Sequence, residues 1–201
     1  MELLVLAPGA EWHPAAERAA AVLRGGGVVL LPAEGVYGLH ALAADPKAVD
    51  KLLLLKPRAP EKRFIALIAD PAEIGRWAKP SALALALARE HWPGALTLVL
   101  PASPAVPESL RSKEGTIALR CPGNPFLRGV VKAAGGIVLS TSANEPGEAP
   151  MVRPEGAIAE RADLVVDQGT LLGEPSTVAA VEEDDVRVLR EGAVRLSGRR
   201  T

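Results

Sequence analysis

Two short polar motifs, far apart in the sequence, carry most of the side chains that could bind an anion. Lys56-Pro57-Arg58, followed by Lys62, supplies three cations, and Ser140-Thr141-Ser142-Ala143-Asn144 supplies hydroxyls and an amide. An arginine can hold a phosphate or a carboxylate through two parallel N–H groups, whereas a lysine acts as a point charge. The two motifs together indicate a site for a small polyanion, and a nucleotide is the first hypothesis.

Each motif, taken alone, has an ordinary alternative. The basic segment contains two prolines and is as compatible with a solvated basic loop as with an anion site. The second motif follows an apolar run, the position at which open α/β sheets bind ligands. Serine and asparagine also dominate turns, however, so this motif by itself favours a turn.

Three further segments contribute single candidates. Tyr37 is the only tyrosine, and glycines on either side of it allow close backbone approach. In a strand from Thr116 to Arg120, alternation puts these two side chains on one face, and Arg120 is a candidate carboxylate clamp. Ser176 and Arg190 add donors from a C-terminal hairpin.

Composition limits the classes of function. The net charge of −1 and aromatic content of 3% do not indicate a nucleic-acid binder. A single cysteine, Cys121, and three histidines without ligand spacing predict no metal held by protein side chains. The N-terminus lacks the features of a signal peptide, and no apolar run reaches the roughly 20 residues that span a bilayer. We therefore expect a cytoplasmic protein without membrane association.

Short apolar runs alternate with capped helices, which predicts one α/β (α+β) domain with a mixed sheet over residues 1–201. Strands are predicted at 28–31, 65–68, 96–100, 116–119, 137–139 and 164–166, with a hairpin of 177–181 and 186–189. Helices are predicted at 13–23, 46–55, from 71, at 82–91, 126–134 and 154–162, four of them capped by Asp45, Asp70, Ser81 and Asn124. Residues 32–39 are interpreted as a loop, with Tyr37 either at a ligand or packed on the core.

The motifs, in their order, resemble the YrdC family, whose members make threonylcarbamoyl-adenylate from threonine, bicarbonate and ATP. The resemblance covers nearly the whole chain. It is carried by Lys56-x-Arg58 with Lys62, Pro93-Gly94-x-x-Thr97, Thr116-x-x-x-Arg120, Ser142-x-Asn144, Ser176-Thr177-Val178 and Leu189-Arg190-x-Gly192.

This resemblance implies a YrdC-like single-domain fold, a twisted mixed sheet flanked by helices, with a wide concave basic groove. It implies Mg²⁺ held mainly by the phosphates of ATP. It also implies roles for particular residues: Arg58, Lys62, Thr116, Ser142 and Arg190 on the ATP side, Tyr37, Arg120, Ser140 and Ser176 on the threonine side, and Lys56, Arg58, Ser142 and Asn144 as the catalytic set.

The chain departs from the family pattern at one segment, where Ala33 and Gly35 replace two threonines. Losing a hydroxyl that binds a ligand costs about 0.5–1.5 kcal/mol. Two alternatives therefore accompany the synthase hypothesis: a protein that binds double-stranded RNA or tRNA without synthesis, and a paralogue that uses another carbamoyl or adenylate substrate. For a synthase, the machinery that transfers threonylcarbamoyl groups to tRNA is an expected partner.

Overall fold

The strands of this protein form one mixed sheet. The computed structural model describes residues 1–56, 64–144, 148–196 and 199–200. Within those residues the sheet has eleven strands in the order β1-β8-β2-β3-β7-β4-β6-β5-β9-β10-β11. The strands are β1 Glu2–Val5, β2 Val29–Pro32, β3 Tyr37–Leu42, β4 Ile65–Leu67, β5 Leu96–Pro101, β6 Thr116–Arg120, β7 Val138–Ser142, β8 Leu164–Asp167, β9 Thr177–Glu182, β10 Asp185–Arg190 and β11 Arg199–Arg200. The expected mixed sheet and the C-terminal hairpin of β9 and β10 are confirmed.

The helices are α1 His13–Arg24, α2 Pro46–Leu55, α3 Ile74–Trp77, α4 Ala82–His91, α5 Pro125–Ala134 and α6 Ala157–Arg161, with 3₁₀ turns at Pro71–Glu73 and Glu108–Leu110. Four of the helices, α1, α2, α4 and α5, begin within one residue of the predicted position. Asp45, Ser81 and Asn124 each accept hydrogen bonds from backbone N–H groups of the first turn. Asp70 and Glu73 form a reciprocal capping box. No helix in the described ranges is both long enough and apolar enough to cross a bilayer.

Two of the predicted elements are wrong. Tyr37–Leu42 is a strand, β3, although residues 32–39 were expected to be a loop. Its first five residues are all buried, so the apolar–polar alternation that marks a half-exposed strand is absent. Helix α6 is shorter than predicted because it starts after Gly156, whose φ of 83° is not helical.

The sheet separates two hydrophobic cores. On one face, which we call core 1, helices α2 and α4 pack through residues such as Leu52 and Ala84. On the other face, core 2, helices α1 and α5 pack through residues such as Leu23 and Val130. Strand β2 serves both, since Leu30 enters core 1 while its neighbours enter core 2. Core 2 is confined to one half of its face, which leaves the remaining half for the site.

Candidate functional site

The part of the sheet that α1 and α5 leave uncovered is floored by partly exposed side chains. One row of paired residues crosses six strands: His40, Ser140, Ile65, Ala118, Val99 and Ala180. Because paired residues project to the same side, these residues share one face, which we call the open face. Ser140, Ile65, Ala118 and Val99 are all partly exposed.

The open face has two ends that differ in their side chains. Ser142 lies two residues after Ser140 in β7, and Thr116 lies two residues before Ala118 in β6. Because β7 runs antiparallel to β4 while β6 runs parallel to it, both side chains lie at the same end of the open face. Arg120 lies at the opposite end, in register with Leu67 and Val138. We call these the Ser142 end and the Arg120 end. As predicted, Thr116 and Arg120 share a face while Ile117 and Leu119 enter core 1.

Three of the predicted catalytic residues meet at the Ser142 end. Lys56 follows the last turn of α2, and its Nζ donates to Asn144 Oδ1 at 2.9 Å. Ser142 Oγ donates to the same oxygen at 2.6 Å, and Asn144 Nδ2 donates to the carbonyl of Glu148 at 2.8 Å. Lys56 is only 7% exposed. The amide of Asn144 therefore fixes a buried ammonium group and a hydroxyl at one corner of the open face.

Thr116 lies at the same end, as the first residue of β6, and it bonds to the turn that precedes this strand. Its Oγ1 and Ser112 Oγ are 2.9 Å apart, and Ser112 Oγ also accepts from the Thr116 N–H at 3.1 Å. Arg58 and Lys62, predicted on the ATP side, lie outside the described residues, and their roles stay predictions.

A buried arginine dominates the other end. Arg120 is 8% exposed, its Nε donates to the Gly94 carbonyl at 3.0 Å, and its Nη2 donates to the carboxylate of Glu34. The second oxygen of Glu34 accepts from the backbone N–H of Gly123. The turn between β2 and β3 is thus tied to the end of β6, across 86 residues of sequence.

Arg190 and Ser176 join the Arg120 end from the C-terminal hairpin. Arg190 Nη2 donates to the Ser176 carbonyl at 2.7 Å and to its Oγ at 3.1 Å, and this hydroxyl lies 2.9 Å from Thr97 Oγ1. Partial desolvation, and after it the positive charge of Arg120, lowers the pKa of Arg190. The two guanidinium groups therefore act on each other, and an anion placed between them would relieve their repulsion.

The hydroxyl group of Ser140 contacts a buried histidine. Its Oγ lies 3.2 Å from Nε2 of His40, which is fully buried in the neighbouring strand β3. Burial lowers the pKa of His40 to about 4, so the imidazole is neutral at physiological pH. A neutral imidazole can accept a hydrogen bond from the hydroxyl group of Ser140, which leaves the serine oxygen able to accept a hydrogen bond from a ligand.

Tyr37 is not brought to the open face. The side chain is fully buried in core 1, because its position in β3 alternates with that of His40. Its hydroxyl donates to the Gly169 carbonyl at 2.7 Å and accepts from the N–H of Gln168 at 2.9 Å. Burial raises the pKa of Tyr37 to about 12. The residue predicted to contact threonine therefore anchors the turn after β8 instead.

Sequence reasoning did not assign roles to three residues of this site: Glu34, His40 and Thr97. Glu34 lies in the segment 32–39 that was interpreted as a loop and His40 directly follows it, so neither had a predicted direction. Recognition of β3 would have placed His40 and Tyr37 on opposite faces. For Glu34, the available signals were an acidic residue shortly after a buried strand and its match to an acidic position of the family pattern between Ala33 and Gly35.

The fold and the site define an α/β protein with a cationic, hydroxyl-rich open face on a mixed sheet. The family model for Sua5, YciO and YrdC proteins, described as "Telomere recombination", matches residues 21–192. The chain belongs to this family.

Individual relatives agree with that membership. The chain is 39% identical over 142 residues to a threonylcarbamoyl-AMP synthase of Stenotrophomonas maltophilia, covering 69% of this chain and 76% of that protein. The crystal structure of P. abyssi Sua5 complexed with L-threonine is similar with a TM-score of 0.86 and 30% identity, covering 96% of this chain and 58% of that one. E. coli YciO is similar with a TM-score of 0.84 and 26% identity, covering 96% of each chain.

Proposed function

We propose that this protein is a threonylcarbamoyl-AMP synthase that makes L-threonylcarbamoyladenylate and pyrophosphate from L-threonine, bicarbonate and ATP. The observation that carries the proposal is the open face itself, with Lys56, Ser142 and Asn144 joined at one end and Arg120 and Arg190 at the other. Anion-binding side chains at both ends of the open face suit two anionic substrates that must meet on it. The relatives that bear this name support the same reading.

The reaction requires two bond-forming steps. The amine nitrogen of threonine attacks the carbon of bicarbonate, and loss of water gives a carbamate. A carbamate oxygen then attacks the α-phosphorus of ATP, and the bond from that phosphorus to the bridging oxygen of the β-phosphate breaks to release pyrophosphate. The product would serve threonylcarbamoyladenosine formation in tRNA, and we expect the protein to act with tRNA in the cytoplasm.

The side chains contribute by positioning and by charge rather than by covalent chemistry. Lys56, with Arg58 and Lys62, would bind the phosphates from the Ser142 end, and Arg190 would reach them from the hairpin. Arg120 would bind the carboxylate of threonine. Fixed cations in a partly buried site stabilise the charge that develops on the leaving pyrophosphate.

Magnesium has a limited place in this proposal. The described residues contain no group of three or more His, Cys, Asp or Glu side chains that could hold a metal ion. Mg²⁺ bound through the phosphates would neutralise part of their charge, and it would need no protein carboxylate. Each role proposed for Lys56, Arg120 and Arg190 is independent of it.

The test is pyrophosphate release from ATP in the presence of L-threonine and bicarbonate. We expect release to require all three substrates and to fall by about 100-fold or more in Lys56→Ala and Arg58→Ala, since each removes a phosphate-binding cation. Release that does not depend on threonine, or that is equal in these variants, would exclude the proposal. A panel of other amino acids in the same assay tests the paralogue hypothesis.

The described part of the open face offers no specific observation in favour of the double-stranded RNA alternative. RNA affinity that disappears at moderate salt would mark only non-specific phosphate attraction.

A further inference from the structure

Arg120 needs an internal counter-ion because it is buried at the floor of the site. The guanidinium group is 9% exposed at the level of the side chain, and the neighbouring cation Arg190 is close enough for its pKa to respond to it. A buried charge without a partner is strongly destabilising. Glu34 supplies the opposite charge through its contact with Nη2 of Arg120.

The carboxylate of Glu34 is itself held at both oxygens. One oxygen binds Arg120 and the other accepts from the N–H of Gly123. Gly123 permits this contact, since a Cβ there would lie 3.2 Å from Glu34 Oε1 and 3.2 Å from the Cα of Gly94. A carboxylate fixed from two directions holds its partner in one orientation.

That orientation determines which edge of the arginine faces a ligand. The Nε and Nη2 groups on one edge of Arg120 are taken up by Gly94 and Glu34. None of the hydrogen bonds found among the described residues involves Nη1. The outer edge, formed by Nη1 and the second N–H of Nη2, is therefore the edge available for bidentate binding of a carboxylate.

We propose that Glu34 is the positioning residue for Arg120, turning the outer edge of the guanidinium group toward the substrate carboxylate and remaining bound to Arg120 and Gly123 throughout turnover. This inference rests on the proposed function, because Arg120 is there the ligand of the threonine carboxylate. The alternative is that Glu34 occupies the place of that carboxylate and must be displaced before threonine binds.

Steady-state kinetics of pyrophosphate release distinguish a positioning role of Glu34 from its displacement by threonine. Glu34→Gln keeps the size of the side chain but removes its charge, so we expect the KM for L-threonine to rise about tenfold or more while the KM for ATP changes less than about twofold. Gly123→Ala keeps both charges and crowds the carboxylate, so it should raise the same KM by a smaller factor. Glu34→Asp, which keeps the negative charge on a shorter side chain, should recover part of the loss.

The matched control is Glu2→Gln, which removes a carboxylate paired with Arg18 far from the open face, between β1 and α1. We expect its kinetics to equal those of the wild-type protein. An unchanged KM for threonine in Glu34→Gln would overturn the proposal. A lower KM for threonine would identify Glu34 as a competitor of the substrate and would also overturn it. An equal rise in the KM values for threonine and ATP would indicate a purely structural role and would overturn it as well.

A measurement that needs no activity keeps this test separate from the test of the proposed function. In ¹⁵N NMR spectra, the Nε–H resonance of Arg120, assigned by its loss in Arg120→Lys, reports how firmly the guanidinium group is held. We expect Glu34→Gln to shift and broaden it, whereas Glu2→Gln leaves it unchanged. If the wild-type protein releases no pyrophosphate, the synthase proposal fails; an unperturbed resonance in Glu34→Gln overturns the positioning role in either case.

Discussion

At the scale of single residues, the amide of Asn144 is the point on which the Ser142 end depends. Its Oδ1 accepts from both Lys56 and Ser142 and its Nδ2 donates to the Glu148 carbonyl, so its loss removes these three hydrogen bonds at once. We expect Asn144→Ala to lower kcat/KM for ATP at least tenfold, because the ammonium group loses its fixed position. Ser142→Ala removes one of these bonds and should have a smaller effect.

A stability control accompanies this prediction. Ser81→Ala removes the N-cap of α4, remote from the site, and costs about 1 kcal/mol of stability. Its kcat/KM should stay at the wild-type value even if its unfolding midpoint falls as far as that of Asn144→Ala. Equal kinetics in Asn144→Ala and the wild-type protein would contradict the role of the amide.

His40 gives a pH dependence whose sign follows from its environment. Its pKa in the folded protein is about 4, whereas in the unfolded chain it is near the ordinary histidine value of 6.5. Below pH 6.5 the unfolded chain therefore binds a proton that the folded protein does not, and stability is lost as the pH falls through 4. The difference between the two pKa values corresponds to about 3 kcal/mol in the free energy of unfolding.

Urea unfolding at pH 7.5, 6, 5 and 4 measures this dependence. In His40→Asn the part due to the histidine should disappear, which leaves a shallower slope between pH 6.5 and 4. Identical slopes in the wild-type protein and in His40→Asn would show that burial of His40 does not govern the acid stability.

The sequence could predict which residues form the Ser142 end but not why they meet. Lys56 and Asn144 are 88 residues apart, and only their order within the family pattern linked them. Tyr37 shows the limit of that pattern, because a motif carries residue types and not directions. The alternation of β3, which sends Tyr37 into core 1 and His40 toward Ser140, depends on pairing with β2 and β7.

At the scale of elements, residues 168–175 of the segment between β8 and β9 cross the turn between β2 and β3. The N–H of Gly173 donates to the Gly35 carbonyl at 3.2 Å, and the hydroxyl group of Tyr37 donates to the Gly169 carbonyl. A Cβ on Gly35 would lie 2.5 Å from both the Glu174 carbonyl oxygen and the Gly173 carbonyl carbon. The absence of a side chain at position 35 is therefore a packing requirement of this crossing.

Gly35→Ala should consequently cost about 1–3 kcal/mol in the free energy of unfolding, since backbone atoms must move apart. Hydrogen exchange in residues 168–175 should accelerate in the same variant. Gly75→Ala is the matched control, because nothing lies within 4 Å of a Cβ there and the residue is helical. If Gly35→Ala were as stable as Gly75→Ala, the crossing would not be tight in solution.

The helices could be predicted from local signals, while the arrangement of the strands could not. A cap such as Asp45 with Pro46 is complete within one turn of chain. Strand β7, in contrast, lies between β3 and β4 and runs antiparallel to both. The general rule for parallel sheets placed the ligand beyond the end of this strand, whereas Ser140 and Ser142 present their hydroxyls across the sheet face.

At the scale of the whole molecule, the two cores are joined by the strands that separate them. Strand β4 contributes Ala66 to core 1 and Leu67 to core 2, and β7 contributes Leu139 and Val138 in the same way. Loss of one core would expose one face of these strands and remove the packing that holds them straight. We therefore expect the described sheet and its helices to unfold as one cooperative unit, consistent with the prediction of a single domain.

Truncation in each core tests this cooperativity. Leu52→Ala in core 1 and Leu23→Ala in core 2 both remove a fully buried side chain, and each should lower stability by about 2–5 kcal/mol. In calorimetry, both variants should shift the same single transition, with equal calorimetric and van't Hoff enthalpies. Two transitions, of which each variant moves only one, would mean that the cores are independent and that the open face is built across a boundary. A single shared transition would mean instead that a substrate bound at either end of the open face stabilises both cores together.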